Sequence, residues 1–213
     1  MLCCGVLLFT LSGLFHPARH PANDHIEAFA EYAASAHYAL IHVGQFAGML
    51  LMVAGLVLLL LALSPQSRSW TGQVGVVLSV GALILYGVLQ AVDGVALKQA
   101  ADAWMRAPEA EKAVRWASAE AIRWTEWGVR SYHSFMLGAS FVLFGTMLAQ
   151  TAGVPKPIGY LMALSGVAYI IQGWVLGTEG FSIPAFTAPA VVGVVLAVVW
   201  SVWLLVAAWR SPR

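Results

Sequence analysis

The chain has 213 residues, 60% of them hydrophobic and 10% charged, with a mean hydropathy of +0.79. Soluble domains are about a quarter charged, so this composition belongs in lipid and excludes a water-soluble globular enzyme. The net charge of +1 and the scattered basic residues exclude a nucleic-acid binder, which needs a basic stripe to follow a phosphate backbone.

A charge at the bilayer centre is expensive and an apolar helix needs about 20 residues to cross, so the long charge-free intervals mark the spans. They predict helices at 1–15, 37–64, 71–95, 128–151, 157–178 and 186–209. The first is short and lacks the basic leader and small-residue cleavage site of a signal peptide, so it reads as a truncated or tilted span. Its adjacent cysteines, Cys3 and Cys4, supply neither a disulfide framework nor a zinc spacing. HPARHPANDH follows, a connection whose prolines disfavour helix. On the second helix Tyr38, His42, Gln45 and Met49 recur at helical spacing and share one face, as do Tyr86, Gln90 and Asp93 on the third.

The stretch 96–130 carries alternating charges with Trp104, Trp116, Trp124 and Trp127. It is expected to lie on the membrane as an amphipathic helix before turning into the fourth span, either as a plain amphipathic connector, the commoner role of such segments, or as a lid over the pocket. Arg123, Glu126, Arg130 and His133 form the stripe of the fourth helix, and Tyr169, Gln172 and Glu179 that of the fifth. Pro65, Pro155, Pro157 and Pro184 sit at connections, and Pro189 falls in the first turns of the last helix. The reading is a single all-α domain, a polytopic membrane bundle of about six transmembrane helices plus an amphipathic interfacial helix.

All ten acidic residues fall on one face of the membrane. The other face carries only basic residues, Arg68, Lys156, Arg210 and Arg213. The acidic face also holds seven Lys and Arg, most of them in the acid-balanced 96–127 connection, so the short, purely basic loops decide the orientation: both termini cytoplasmic, with 16–36 and 96–127 outside. Every histidine and every polar stripe lies toward that outer side, whereas 46–63 has no polar side chain and 190–209 only Ser201. Lipid offers these stripes no partner, so they line a one-sided pocket facing protein or trapped water. A channel needs polar groups along both halves, which disfavours a through-pathway.

His42, His133, Asp93 and Glu126 come from three helices at similar depth. Imidazole with carboxylate suits a divalent transition metal, zinc, copper or iron. Gln45, Tyr86, Gln90, Arg130 and Gln172 complete the pocket, and Gln45, Gln90 and Tyr86 are available to orient the ligating imidazoles. The competing reading is structural: Glu126 pairs with Arg123 or Arg130, and Asp93 with Lys98. His16, His20 and His25 on the proline-rich loop would capture an ion for the deeper site. Heme b ligated by His42 and His133 is an alternative, without the CxxCH of covalent attachment. The function read from these residues is binding of a transition metal or small ligand in a pocket open to the extracytoplasmic side. Heme b electron transfer, a membrane enzyme acting on a lipophilic substrate through Asp93 or Glu126 as acid or base, and small-solute transport are the alternatives.

Three strings, HPANDHIEAFAEYAASAHYALIHVGQF, LQAVDGVALK and EAIRWTEWG, resemble those of an uncharacterised group of multi-pass membrane proteins of actinobacteria and similar bacteria. The resemblance runs from about His16 to Ser182 and implies a bacterial cytoplasmic membrane and the same helix count. It implies no activity.

Overall fold

A computed structural model describes residues 1–63, 69–181 and 183–210; Pro65, Arg68 and Arg213 lie outside them. Among the described residues all regular structure is helical: α1 (Leu2–Leu14), α2 (His25–Ala34), α3 (Tyr38–Ala62), α4 (Trp70–Gln90), a π-helical stretch (Ala91–Leu97), α5 (Lys98–Arg106), α6 (Glu109–Gln150), α7 (Lys156–Glu179) and α8 (Ile183–Arg210). Among the described residues, five helices are long and apolar enough to cross a membrane: Tyr38–Ala62, Trp70–Arg106, Glu109–Gln150, Lys156–Glu179 and Thr187–Arg210. The expected first span is the 13-residue α1.

The 96–130 stretch is helical, as its periodicity predicts, and it is divided between two long helices. Trp70–Arg106 continues through the π-helical stretch as one 37-residue helix, and Glu109–Gln150 is one 42-residue helix. At 1.5 Å per residue these run about 55 and 63 Å, well beyond a hydrocarbon core of roughly 30 Å. The reversal falls at Ala107 and Pro108, both extended, because the proline ring crowds the helical conformation of the residue before it. The two helices therefore project from the bundle as a hairpin. Against it docks α2, whose N-cap Asp24 accepts from the Glu27 N–H and whose Ala28, Phe29 and Tyr32 are buried with Leu97, Ala101 and Ala119. Trp104 and Trp116 close over Phe29, forming an aromatic cap on one end of the bundle.

Inside the bundle, small residues set the closest helix crossings. On α6 and α7, Gly145 lies against the Gly159 carbonyl and Gly138 against that of Gly166, each contact being reciprocal, so no side chain fits between the two backbones. Gly44, Gly48 and Gly55 on α3 likewise admit Ser12, Phe9 and Leu2 of α1, which fixes the antiparallel pairing of those helices. The core between α3, α4, α6, α7 and α8 is apolar, built on Met49, Leu56, Leu89, Leu137, Phe141, Phe144, Met162 and Trp200. Its buried polar groups at the end away from the cap are hydroxyls satisfied nearby. Ser79 and Ser140 both donate to the Gly75 carbonyl, and Trp200 Nε1 donates to Ser165 Oγ.

Candidate functional site

The ionisable residues gather where the cap meets the bundle. α3 begins there, so Tyr38 and His42 enter on its first turns; α4 ends there, and the π-helical stretch turns Asp93, Gly94 and Leu97 inward. An added residue per turn shifts the helix register, a device frequent at functional sites. Gly94 permits the approach, since a Cβ there would stand 2.7 Å from His42 Cβ and 2.8 Å from Cγ. His16 arrives from the loop after α1, carried in by the α1–α3 pairing.

These residues form one connected group. Tyr38 Oη donates to Asp93 Oδ1 at 2.6 Å, and His42 Nε2 stands 3.1 Å from Asp93 Oδ2. That nitrogen lies at ion-pair distance without a directed hydrogen bond to the carboxylate. The His42 Nδ1–H donates to the Tyr38 carbonyl at 2.8 Å, and the His16 Nδ1–H to the Pro17 carbonyl at 3.0 Å. A carbonyl only accepts, so each Nδ1 carries a proton and Nε2 is the nitrogen left for a ligand. The two imidazole centroids are 5.2 Å apart, nearly perpendicular, and Tyr32 and Tyr38 wall them in. Among the described residues, His16, His42 and Asp93 are the group whose ligand atoms all lie within 4.8 Å of one another. Burial lowers the His16 pKa to about 4, with Asp93 opposing the shift and His42 and Arg130 adding to it, so the imidazole is neutral at physiological pH.

Beside this group stands a buried ion pair. Arg123 Nη1 donates to Glu126 Oε2, and its Nη2 donates to the Ala22 carbonyl at 3.1 Å and the Tyr32 hydroxyl at 3.3 Å. Its guanidinium stacks on Phe181 at 4.8 Å from the ring centroid. Burial raises the Tyr32 pKa to about 12, which keeps that hydroxyl neutral.

Of the residues singled out in the sequence, the fold brings His42 and Asp93 together and adds His16. It does not bring Glu126 or His133 into the same group. Glu126 is held by Arg123; His133 lies deeper along α6, its ring 4.8 Å from that of Tyr86. Asp93 does not pair with Lys98, which bonds Asp102 and the Ala33 carbonyl instead. His20 is exposed, its backbone N–H on Glu31, and His25 Nδ1 pairs with Glu120 at 3.2 Å, fastening α2 to α6. Tyr86 donates to Gln45 at 3.3 Å, and Gln90, His133 and Gln172 each hold a buried polar atom without a hydrogen-bond partner. Tyr38 and Tyr32 were missed as site residues. Tyr38 had a usable signal, since it sits on the stripe of His42.

Residues 2–208 match the family model described as a domain of unknown function, DUF4386, and the chain belongs to that family. Comparison with curated proteins and with solved structures found no match.

Proposed function

We propose that this membrane protein binds a divalent transition metal through His16, His42 and Asp93, at the end of the bundle covered by the cap. The observation that carries the reading is the orientation of the two imidazoles: both Nδ1–H groups are spent on backbone carbonyls, leaving Nε2 as the nitrogen for a ligand, within 4.8 Å of a carboxylate. A ligating histidine is oriented in this way by a hydrogen bond from its other nitrogen. Donor atoms bound to one ion at about 2 Å each stand roughly 3 to 4 Å apart, a range that includes the 3.1 Å between His42 and Asp93. Two imidazoles and one carboxylate suit zinc or iron, and three protein ligands leave positions for water or a small molecule. Such a metal supplies Lewis acidity to whatever binds in those positions. The protein's part is to orient the imidazoles through their Nδ1–H bonds, and Tyr38 fixes the carboxylate.

The test is elemental analysis and a visible spectrum of untagged protein, as isolated and after reconstitution with zinc, iron or copper. Stoichiometric metal that is lost in His16→Ala, His42→Ala and Asp93→Ala supports the site. A Soret band would reassign it to heme, and failure of all three metals to bind would overturn it.

We assign the capped end to the extracytoplasmic side of a bacterial cytoplasmic membrane, on the argument that Lys156 and Arg210 mark the opposite end without any acidic neighbour in their loops. A cysteine at Ala110 on the hairpin should be labelled by an impermeant maleimide in intact cells; labelling only after permeabilisation would reverse the orientation.

A further inference from the structure

Arg130 lies one turn along α6 from Glu126, yet among the described residues it has no carboxylate partner. Its guanidinium rests against Phe181, 5.4 Å from the ring centroid. On α6 it lies one turn from Glu126 on one side and one turn from His133 on the other, so it stands between the buried Arg123–Glu126 pair and the deeper polar layer. In that layer His133 Nε2, Gln172 Oε1 and Gln90 Oε1 are buried without hydrogen-bond partners. His133 is 4% and Gln172 5% exposed, so these atoms have no bulk water to turn to. Unmet hydrogen-bonding capacity of this kind in a native fold needs a reason.

Charge supplies one. Arg123 and Arg130 balance Asp93 and Glu126, so the four groups together are neutral. A divalent cation on His16, His42 and Asp93 adds two positive charges to a buried, low-dielectric region, where uncompensated charge is expensive. An anion returns the site toward neutrality. Arg130 is the donor free to take one, because a guanidinium presents planar N–H pairs that match carboxylate and phosphate oxygens.

We infer that the metal-loaded site takes an anionic ligand, a carboxylate or phosphate oxyanion, held by the Arg130 guanidinium and entering an open position on the metal. The inference rests on the metal reading above and names the class of molecule that the site accepts. His133 Nε2 and the Gln90 and Gln172 amides are available to the oxyanion's remaining oxygens or their protons, each amide offering both a donor and an acceptor.

Cobalt(II) titrations of the full chain in phosphatidylcholine nanodiscs test this, followed by the cobalt absorption bands without added anion, with inorganic phosphate, and with decanoate. One anion should tighten cobalt binding by about tenfold and change the band positions, and by reciprocity cobalt should tighten that anion equally. Phosphate activity identifies a free oxyanion, and an effect of decanoate alone identifies an amphiphile entering from the bilayer. Arg130→Gln, which removes a positive charge near the site, should bind cobalt alone at least as tightly as wild type but lose the anion effect, which Arg130→Lys partly restores. Cobalt binding that is indifferent to both anions, or an anion effect undiminished in Arg130→Gln, overturns the inference while leaving the metal site standing. Failure of the wild type to bind cobalt at all removes both.

Discussion

His42 Nε2 and Asp93 Oδ2 stand 3.1 Å apart although one belongs to the start of α3 and the other to a π-helical stretch after α4. Neither residue is placed there by its own helix alone. α3 has to approach closely enough for the His42 ring to lie over Gly94, and the π-helical register has to turn Asp93 and Gly94 to the same side. The contact thus reports the packing of two spans and a local irregularity in one of them.

Gly94→Ala should therefore break the site. Its methyl would meet His42 Cβ and Cγ at 2.7 and 2.8 Å, and neither atom can swing away as the tip of a flexible side chain would. Overpacking of this kind costs about 1–3 kcal/mol. Denaturation in detergent should show that loss, and metal content should fall with it. A variant of wild-type stability with full metal occupancy would refute the packing argument.

Tyr38→Phe removes only the hydroxyl that donates to Asp93 at 2.6 Å. A hydrogen bond to a charged group contributes about 1.5–3 kcal/mol, and loss of a group that orients a metal ligand lowers metal affinity about 10–100-fold. Calorimetric metal titration separates the two effects, since a purely structural role for Tyr38 would lower stability and leave affinity unchanged.

Much of this was legible in the sequence, and the exceptions have physical causes. The spans followed from the spacing of charges, and the stripes of Tyr38 and His42, Gln90 and Asp93, and Tyr169 and Gln172 followed from helical periodicity, because both depend on local chain geometry. His16 could be nominated only as one of three loop histidines. It reaches the site through the glycine-lined contact of α1 with α3, which fixes where the following loop lies and leaves no periodic mark on the loop itself. The docking of α2 on the hairpin was not legible, because an amphipathic pattern is the same whether the apolar face meets lipid or meets another helix. Only Phe29 and Tyr32, packed with Leu97 and Ala101, distinguish the two. Glu126 and His133 share a stripe with Arg130, but a stripe does not report which neighbour satisfies each member.

Arg123 and Glu126 should behave as a unit. Each is at most 2% exposed, so Glu126→Gln strands a buried guanidinium and should cost about 3–5 kcal/mol. Replacing both by methionine should recover most of that, less about 1 kcal/mol for each lost bond from Arg123 to Ala22 and Tyr32. A double-mutant cycle measures the coupling; additive single effects would mean that the pair is not the unit of stability.

The glycines of α6 offer an internal control. Gly145→Val forces the α7 backbone away at the Gly159 carbonyl and should destabilise by about 1–3 kcal/mol or more. Gly128, on the same helix, has nothing within 4 Å of a built Cβ, so Gly128→Ala should stabilise by about 0.5–1 kcal/mol through helix propensity. Opposite signs in parallel unfolding measurements are the expected result, and a shared sign would contradict the crossing geometry.

Stability of the metal-free protein should fall with acid in a window set by His16. Burial holds its pKa at about 4 in the folded state, against an ordinary value of 6.5. Between those values the unfolded chain binds a proton at this imidazole that the folded chain does not, so acid favours unfolding. The contribution of His16 is complete above pH 6.5, declines as the pH falls, and is gone below about 4. Urea unfolding of wild type and His16→Asn from pH 8 to pH 4 isolates it, because the asparagine cannot titrate and the other groups are common to both. The wild-type curve should lose more stability than the variant between pH 6.5 and 4, and the two should run parallel above that window. Parallel curves throughout would mean that His16 is solvated rather than enclosed by Tyr32, Tyr38 and His42, and the geometry assigned to it as a metal ligand would fall with that result.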